Sequence, residues 1–128
     1  MLMDLGEYES GEDLDRAILY FTRAIEVNPN EAQAYLSRGF NKYENGEYKD
    51  AFEDIDKSIE LSAEYKDYFD SEYAYYLRAQ AKEKLGDLEG AIEDYEVISE
   101  NDGGLYCDPE AEIERLTKQL EEQNNLNK

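Results

Sequence analysis

The chain has 128 residues, enough for one core of moderate size, and 33 acidic against 13 basic residues leave a formal net charge of -20. Nucleic-acid binders neutralise phosphates with clustered Lys and Arg, so this balance excludes them and disfavours anionic membrane surfaces. No apolar run approaches the ~20 residues of a membrane-spanning helix, and no signal-peptide pattern opens the chain. We expect a cytoplasmic protein whose acids mostly solvate outer helix faces and steer in a basic partner.

Carboxylates are plentiful in the sequence, but the other residue types that commonly carry catalysis or bind metal are scarce. Histidine is absent and Cys107 is the only cysteine, so the sequence offers no internal disulfide, no zinc cluster and no histidine base. Acids two positions apart, such as Asp54 and Asp56, do not face each other on a helix. A catalytic carboxylate pair also needs a cleft that makes the pKa values of the two groups differ. The sequence therefore predicts no catalytic residue, no metal site and no cofactor, and we expect the protein not to be an enzyme.

An internal repeat runs along the chain. Ala17 and Ala51 stand 34 positions apart in two segments that align without a gap, and Ala91 follows Ala51 by 40 positions, so about six extra residues precede the third copy. Apolar residues in the first copy recur at i, i+3, i+4, i+7, i+10 and i+11, which is the period of a helix: they are Leu14, Ala17, Ile18, Phe21, Ala24 and Ile25. Small residues beside large ones at fixed offsets indicate closely packed helices.

The predicted elements are three helix pairs and one final helix. In chain order they occupy about residues 1–31, 32–65, 72–101 and 109–122. Gly11 stands near the turn of the first pair, and Gly46 and Gly86 stand at the turns of the second and third, where glycine can take the left-handed cap conformation. Asp108 and Pro109 predict the start of the final helix.

The final helix carries a narrow apolar stripe and a polar outer face. The predicted stripe consists of Ala111, Ile113, Leu116 and Leu120. A stack of helical repeats exposes apolar surface at its end unless a terminal helix with a polar outer face covers it. The sequence therefore predicts that this helix caps the array, with residues 121–128 frayed.

Two arginines and two aspartates repeat at the same spacing. Arg38 and Arg78 each precede the small residue of a leading helix, which is the first helix of a pair. Asp54 and Asp94 follow them by 16 positions in the second helix of the same pair. Guanidinium–carboxylate forks are strong, oriented contacts. The spacing predicts that Arg38 pairs with Asp54, and Arg78 with Asp94, inside each helix pair.

The whole pattern resembles the tetratricopeptide repeat. The matching residues are Ala17, Phe21, Ala24 and Pro29 in the first copy, Tyr35, Gly39, Gly46, Tyr48, Ala51, Ile55 and Ser58 in the second, and Tyr75, Ala79, Gly86, Ala91 and Tyr95 in the third. The resemblance covers about residues 1–100. It implies an all-α fold, a right-handed superhelix of antiparallel helix hairpins forming one domain over residues 1–128. It also implies a protein-interaction module, such as a scaffold or adaptor.

In this family the leading helices line a concave face on which extended peptides commonly lie. Carried over by position, that face comprises Gln33, Leu36, Ser37, Phe40 and Tyr43 from the second copy and Tyr73, Tyr76, Leu77, Gln80 and Glu83 from the third. Relatives that hold acidic chaperone tails use Lys, Asn and Arg there. The corresponding residues here are Leu2, Gly6, Ser37, Tyr73 and Leu77, so the resemblance implies no such clamp.

An aromatic strip with an acidic surround favours a basic-hydrophobic protein or peptide as the partner. Two alternatives stay open at this point. Some of the aromatic side chains could pack internally under residues 65–71, with Tyr68 and Phe69 folded over them. The apolar residues near the chain start, Leu2, Leu5 and Tyr8, could instead make the protein a self-associating structural subunit that dimerises through its truncated N-terminal end.

Overall fold

The computed structural model of the protein describes residues 11–65 and 71–126. Over these residues the chain forms six α-helices and no strand, which confirms the all-α prediction. They are α1 (Gly11–Val27), α2 (Ala32–Glu44), α3 (Tyr48–Tyr65), α4 (Ser71–Lys84), α5 (Leu88–Glu100) and α6 (Pro109–Leu126). None of the helices in the described ranges is long and apolar enough to cross a membrane.

The chain divides into two compact units, Met1–Phe69 and Asp70–Lys128. The first contains α1 to α3 and the second α4 to α6, and each is described by itself. The prediction of one domain over residues 1–128 stays a prediction. Three of the sequence predictions concern residues outside the described ranges. They are the first leading helix, self-association through the apolar N-terminal end, and the packing of residues 66–70 over the aromatic side chains.

In the first unit, α2 packs against both α1 and α3. Gly39 lies where α2 comes closest to α3: a Cβ added there would stand 2.8 Å from Cγ1 of Ile55 and 3.2 Å from the carbonyl oxygen of Ala51. Ala51 and Ile55 are themselves fully buried. The small residue that the repeat pattern singles out is therefore required by the packing of two helices.

The turn between α2 and α3 ends α2 with a left-handed glycine. Gly46 has φ +84°, a conformation that glycine adopts without the steric cost of a side chain. The amide of Glu47 donates to the carbonyl of Lys42 at 2.9 Å, and the amide of Gly46 donates to that of Tyr43 at 3.0 Å. These bonds satisfy carbonyls that the helix end would otherwise leave unpaired.

In the second unit, α5 packs between α4 and α6. The core of this unit consists of the buried residues Ala79, Leu88, Ala91, Tyr95, Ile98 and Leu116. Ile113, Leu120 and Cys107 pack against them. Leu116 is fully buried. The helix α6 thus closes the core of this unit, while its predicted role as the cap of the whole array stays a prediction.

Two details of the sequence prediction were wrong. The helix α6 continues to Leu126 because residues 121–126 include Glu and Gln, which are good helix formers, so residues 121–126 are not frayed. Ala111 is exposed, since the buried positions on α6 follow the spacing of Ile113 and Leu116, and Ala111 lies on another side of the helix.

The leading helices and the candidate partner face

A buried ion cluster links α2 and α3 in the first unit. The Arg38 guanidinium donates to both carboxylate oxygens of Asp54, from Nε to Oδ2 and from Nη2 to Oδ1, each at 2.7 Å. Lys42 Nζ lies 3.0 Å from the same Oδ2 atom, and the Asp54 side chain is only 7% exposed. The structure thus forms the fork that the spacing predicts, with a lysine added.

The second unit repeats this cluster between α4 and α5. Arg78 donates from Nε to Oδ2 of Asp94 at 3.0 Å and from Nη2 to Oδ1 at 2.7 Å. Lys82 Nζ lies 3.1 Å from Asp94 Oδ2, and the Asp94 side chain is 3% exposed. One carboxylate therefore binds two cations in each unit. The lysines were missed, although each follows its arginine by four positions, the spacing that puts two side chains on one helix face.

Aromatic rings stack on both guanidinium groups. The Arg38 guanidinium lies 5.6 Å from the ring centre of Tyr35, and that of Arg78 lies 5.1 Å from the ring of Tyr75, within the range of cation–π attraction. Arg38 Nη1 also donates to Oγ1 of Thr22 on α1 at 3.2 Å. The hydrogen bonds that Arg38 donates to Asp54 raise the pKa of Arg38 above its ordinary value. Arg38 is therefore a structural cation that joins all three helices of its unit.

These clusters leave few cations available on the leading helices. Of the five basic residues in α2 and α4, Arg38, Lys42, Arg78 and Lys82 bind Asp54 or Asp94. Their side chains are only 14–17% exposed. A ligand carboxylate would meet cations that are mostly buried and already bound to an aspartate.

The predicted partner residues on α2 separate into exposed and buried ones. Gln33 is exposed and Ser37 is half-buried, while Phe40 is 36% exposed. The ring of Tyr43 is half-buried and packs edge-on against Tyr48 of α3, with centroids 5.3 Å apart. Leu36 is 1% exposed, so its assignment to the partner face was wrong: its side chain belongs to the core.

The predicted partner residues on α4 are mostly engaged inside the second unit. Leu77 is 3% exposed, so its assignment to the partner face was also wrong, for the same reason as Leu36. Gln80 Nε2 lies 2.8 Å from the Tyr76 hydroxyl. The carboxylate of Glu83 accepts hydrogen bonds from the Tyr95 hydroxyl at 3.0 Å and from Arg115 Nη2 at 2.9 Å. Glu83 therefore joins α4 to α5 and α6.

The segment between α5 and α6, residues 101–108, lies against the start of α4; we call it the α5–α6 segment. Oε2 of Glu72 accepts hydrogen bonds from the amides of Gly104, Leu105 and Tyr106 at 3.1, 2.7 and 3.3 Å. The Tyr106 ring packs on two rings of the predicted partner face, Tyr73 and Tyr76. No sequence signal pointed to these contacts, because they join residues 30 to 34 positions apart without a repeated spacing.

The surroundings of Tyr95 and Cys107 in the second unit favour the neutral form of both side chains. Burial, reinforced by the neighbouring carboxylate of Glu83, raises the pKa of Tyr95. Burial, reinforced by Glu112 and other nearby acids, raises the pKa of the Cys107 thiol, so its reactive thiolate form is disfavoured. Throughout residues 11–65 and 71–126, no group of three or more His, Cys, Asp or Glu side chains is placed to hold a metal ion.

Stacked antiparallel helix pairs with small residues at their close contacts define the class of helical-repeat proteins. Within that class, the family model described as the tetratricopeptide repeat matches residues 2–31 and 72–96. The chain is a tetratricopeptide repeat protein. Members of this family are typically protein-interaction modules without catalytic activity, and the chain is accordingly a protein-interaction module.

Curated relatives and a solved structure share this fold. The chain is 32% identical to serine/threonine-protein phosphatase 5 of Homo sapiens over 92 residues, which is 72% of this chain and 17% of the phosphatase. It is 30% identical to RNA polymerase II-associated protein 3 of Xenopus tropicalis over 114 residues, which is 89% of this chain and 16% of that protein. The chain thus corresponds to about a sixth of each relative. The second TPR domain of human RPAP3, solved by NMR with the HSP70 peptide SGPTIEEVD, superposes with a TM-score of 0.68 at 23% identity over 88% of both chains.

Proposed function

We propose that the chain is a non-catalytic scaffold or adaptor module that holds a basic-hydrophobic peptide or protein segment on the concave face of the array. In this proposal the leading helices α2 and α4 supply the contacts. The observation that carries it is the engagement of Arg38, Lys42, Arg78 and Lys82 by Asp54 and Asp94. With these cations held by aspartates inside the fold and a net charge of -20, an acidic ligand would be repelled and a basic one attracted.

The α2 part of the proposed face has the composition of an interface centre. Gln33, Ser37 and Phe40 follow one another at i, i+4 and i+7, so they lie on one side of the helix, and none of them is buried. An exposed aromatic ring beside small and polar side chains offers a large apolar contact at little cost in rotamer entropy. Phe40 is the ring that we propose as the anchor for a hydrophobic side chain of the partner.

The proposed ligand differs in charge from the peptide bound by the structural neighbour. The RPAP3 domain was solved with SGPTIEEVD, whose C-terminal part is acidic. Holding such a tail in this chain would require free Lys or Arg side chains, whereas four of the five basic residues of α2 and α4 already bind aspartate. Drawing a lysine or arginine away from its aspartate to bind a ligand carboxylate would disrupt a largely buried ion cluster, which disfavours such a ligand.

Replacing Phe40 with alanine tests where the partner binds. We expect Phe40→Ala to weaken binding of a labelled peptide of alternating lysine and phenylalanine about tenfold, because central aromatic residues dominate interface energies. Fluorescence anisotropy titration at low salt measures the affinity. Leu85→Ala is the matched control, since Leu85 is an exposed apolar residue, 47% accessible, outside the proposed face. Equal affinities for the wild type and the Phe40 variant would place the binding site elsewhere.

A further inference from the structure

The α5–α6 segment is held against α4 by a carboxylate and by aromatic rings. Glu72 lies in the first turn of α4. Its carboxylate accepts hydrogen bonds from three consecutive backbone amides of the segment, from Gly104 to Tyr106. Hydrogen bonds to an ionised acceptor are stronger than those between neutral groups. The segment therefore occupies Oε2 of a carboxylate that stands at the end of the proposed partner face.

The ring of Tyr106 covers the aromatic part of the same face. Its centroid lies 4.9 Å from that of Tyr73, with the planes tilted by 46°, and 6.0 Å from that of Tyr76, with the planes 19° apart. Both distances are typical of attractive ring pairs. Tyr106 itself remains 36% exposed, while its neighbour Leu105 is 78% exposed. The contact thus comes from the tyrosine and the backbone of the segment.

We propose that the α5–α6 segment masks the α4 part of the partner face and is displaced when a partner binds, an inference that rests on the function proposed above. The groups that it covers are those that a basic, aromatic ligand needs. The Glu72 carboxylate would form an ion pair with a lysine or arginine of the partner. The rings of Tyr73 and Tyr76 would pack against an aromatic side chain or a cation. Partner binding therefore competes with the hydrogen bonds and ring contacts that the segment makes with Glu72, Tyr73 and Tyr76.

The segment is anchored at both ends, and its middle residues are exposed. The amide of Gly103 donates to the carbonyl of Ile98 at 2.8 Å. Pro109 is buried, and Cys107 packs against the core. Between these anchors, residues 104–106 are exposed. Few buried apolar contacts are the property of segments that open at low free-energy cost. Displacement can therefore be confined to residues 104–106 without unfolding α5 or α6.

Two variants separate masking from simple packing. Tyr106→Ala removes the ring that covers Tyr73 and Tyr76. Leu105→Ala changes the neighbouring exposed side chain and retains every backbone amide, which makes it the matched control. In the full chain we expect Tyr106→Ala to bind the labelled lysine–phenylalanine peptide about three- to tenfold more tightly than the wild type, because a competing ring contact is lost. Leu105→Ala should bind as the wild type does.

Amide hydrogen exchange in the wild type provides a second measurement. Saturation with the peptide should accelerate exchange at the amides of Leu105 and Tyr106, since they lose Glu72 as acceptor. Equal or weaker affinity of Tyr106→Ala, or unchanged exchange at saturation, would overturn masking while leaving the proposed function intact. Absence of peptide binding to every variant would instead overturn the proposed function, and masking with it.

Discussion

Replacing Asp94 with alanine should lower the free energy of unfolding by ~3–5 kcal/mol, because removing one member of a buried ion pair leaves the other charge uncompensated. Here two cations are affected: Arg78 and Lys82 both bind the Asp94 carboxylate, which is 3% exposed. The two cations are themselves 16% and 14% exposed, so they can partly turn toward water. We therefore expect a value toward the lower end of that range.

Urea unfolding followed by far-UV circular dichroism measures this change. The control is Glu93→Ala, since Glu93 precedes Asp94 on α5 and is exposed. A surface substitution of this kind should stay within ~0.5 kcal/mol of the wild type. Asp54→Ala should reproduce the loss in the first unit, because Arg38 and Lys42 bind Asp54 in the same way. A loss for Asp94→Ala no larger than that for Glu93→Ala would show that the cluster does not stabilise the fold.

Replacing Leu116 with alanine should cost ~2–5 kcal/mol, the range for a large-to-small change in a core. Leu116 is fully buried. It is the residue by which α6 packs into the core that contains Tyr95 and Ile98. The loss should be large because the change removes buried apolar area and leaves a cavity between helices.

The same helix provides the control for this substitution. Leu126 is 85% exposed, and Leu126→Ala should leave the free energy of unfolding within ~0.5 kcal/mol of the wild type. Chemical denaturation of both variants under one set of conditions gives the comparison. If Leu116→Ala were as stable as Leu126→Ala, α6 would not close the core, and its capping role would be contradicted.

Periodicity in the sequence predicted the helices well. The 34-residue repeat and the period of the apolar residues indicated the helix pairs, and glycine at position 46 indicated a turn that the structure forms with φ +84°. The Arg38–Asp54 contact could also be predicted, because the same two residue types recur 16 positions apart in two copies. Repetition makes such a spacing informative, since only a contact shared by both copies explains it.

The orientation of side chains on the leading helices was harder to predict. Leu36 and Phe40 are four positions apart and lie on nearly the same side of α2, yet Leu36 is 1% exposed and Phe40 is 36% exposed. That difference depends on how far the neighbouring helices extend over each position. The contacts of Tyr106 with α4 involve a non-repetitive segment, so no pattern in the sequence could indicate them.

The repeated clusters give the arginines and lysines of the leading helices a structural role. Arg38 and Lys42 of α2, and Arg78 and Lys82 of α4, each bind an aspartate of their own helix pair. The proposed preference for a basic ligand depends on these cations being held inside the fold.

Parallel titration of the wild-type chain with two labelled peptides tests the central claim most directly. One is the peptide of alternating lysine and phenylalanine, and the other is SGPTIEEVD, the ligand of the RPAP3 domain. We predict that the basic peptide binds, that its affinity falls as salt is raised because opposite charges are screened, and that SGPTIEEVD does not bind measurably. Tighter binding of SGPTIEEVD than of the basic peptide would contradict the account.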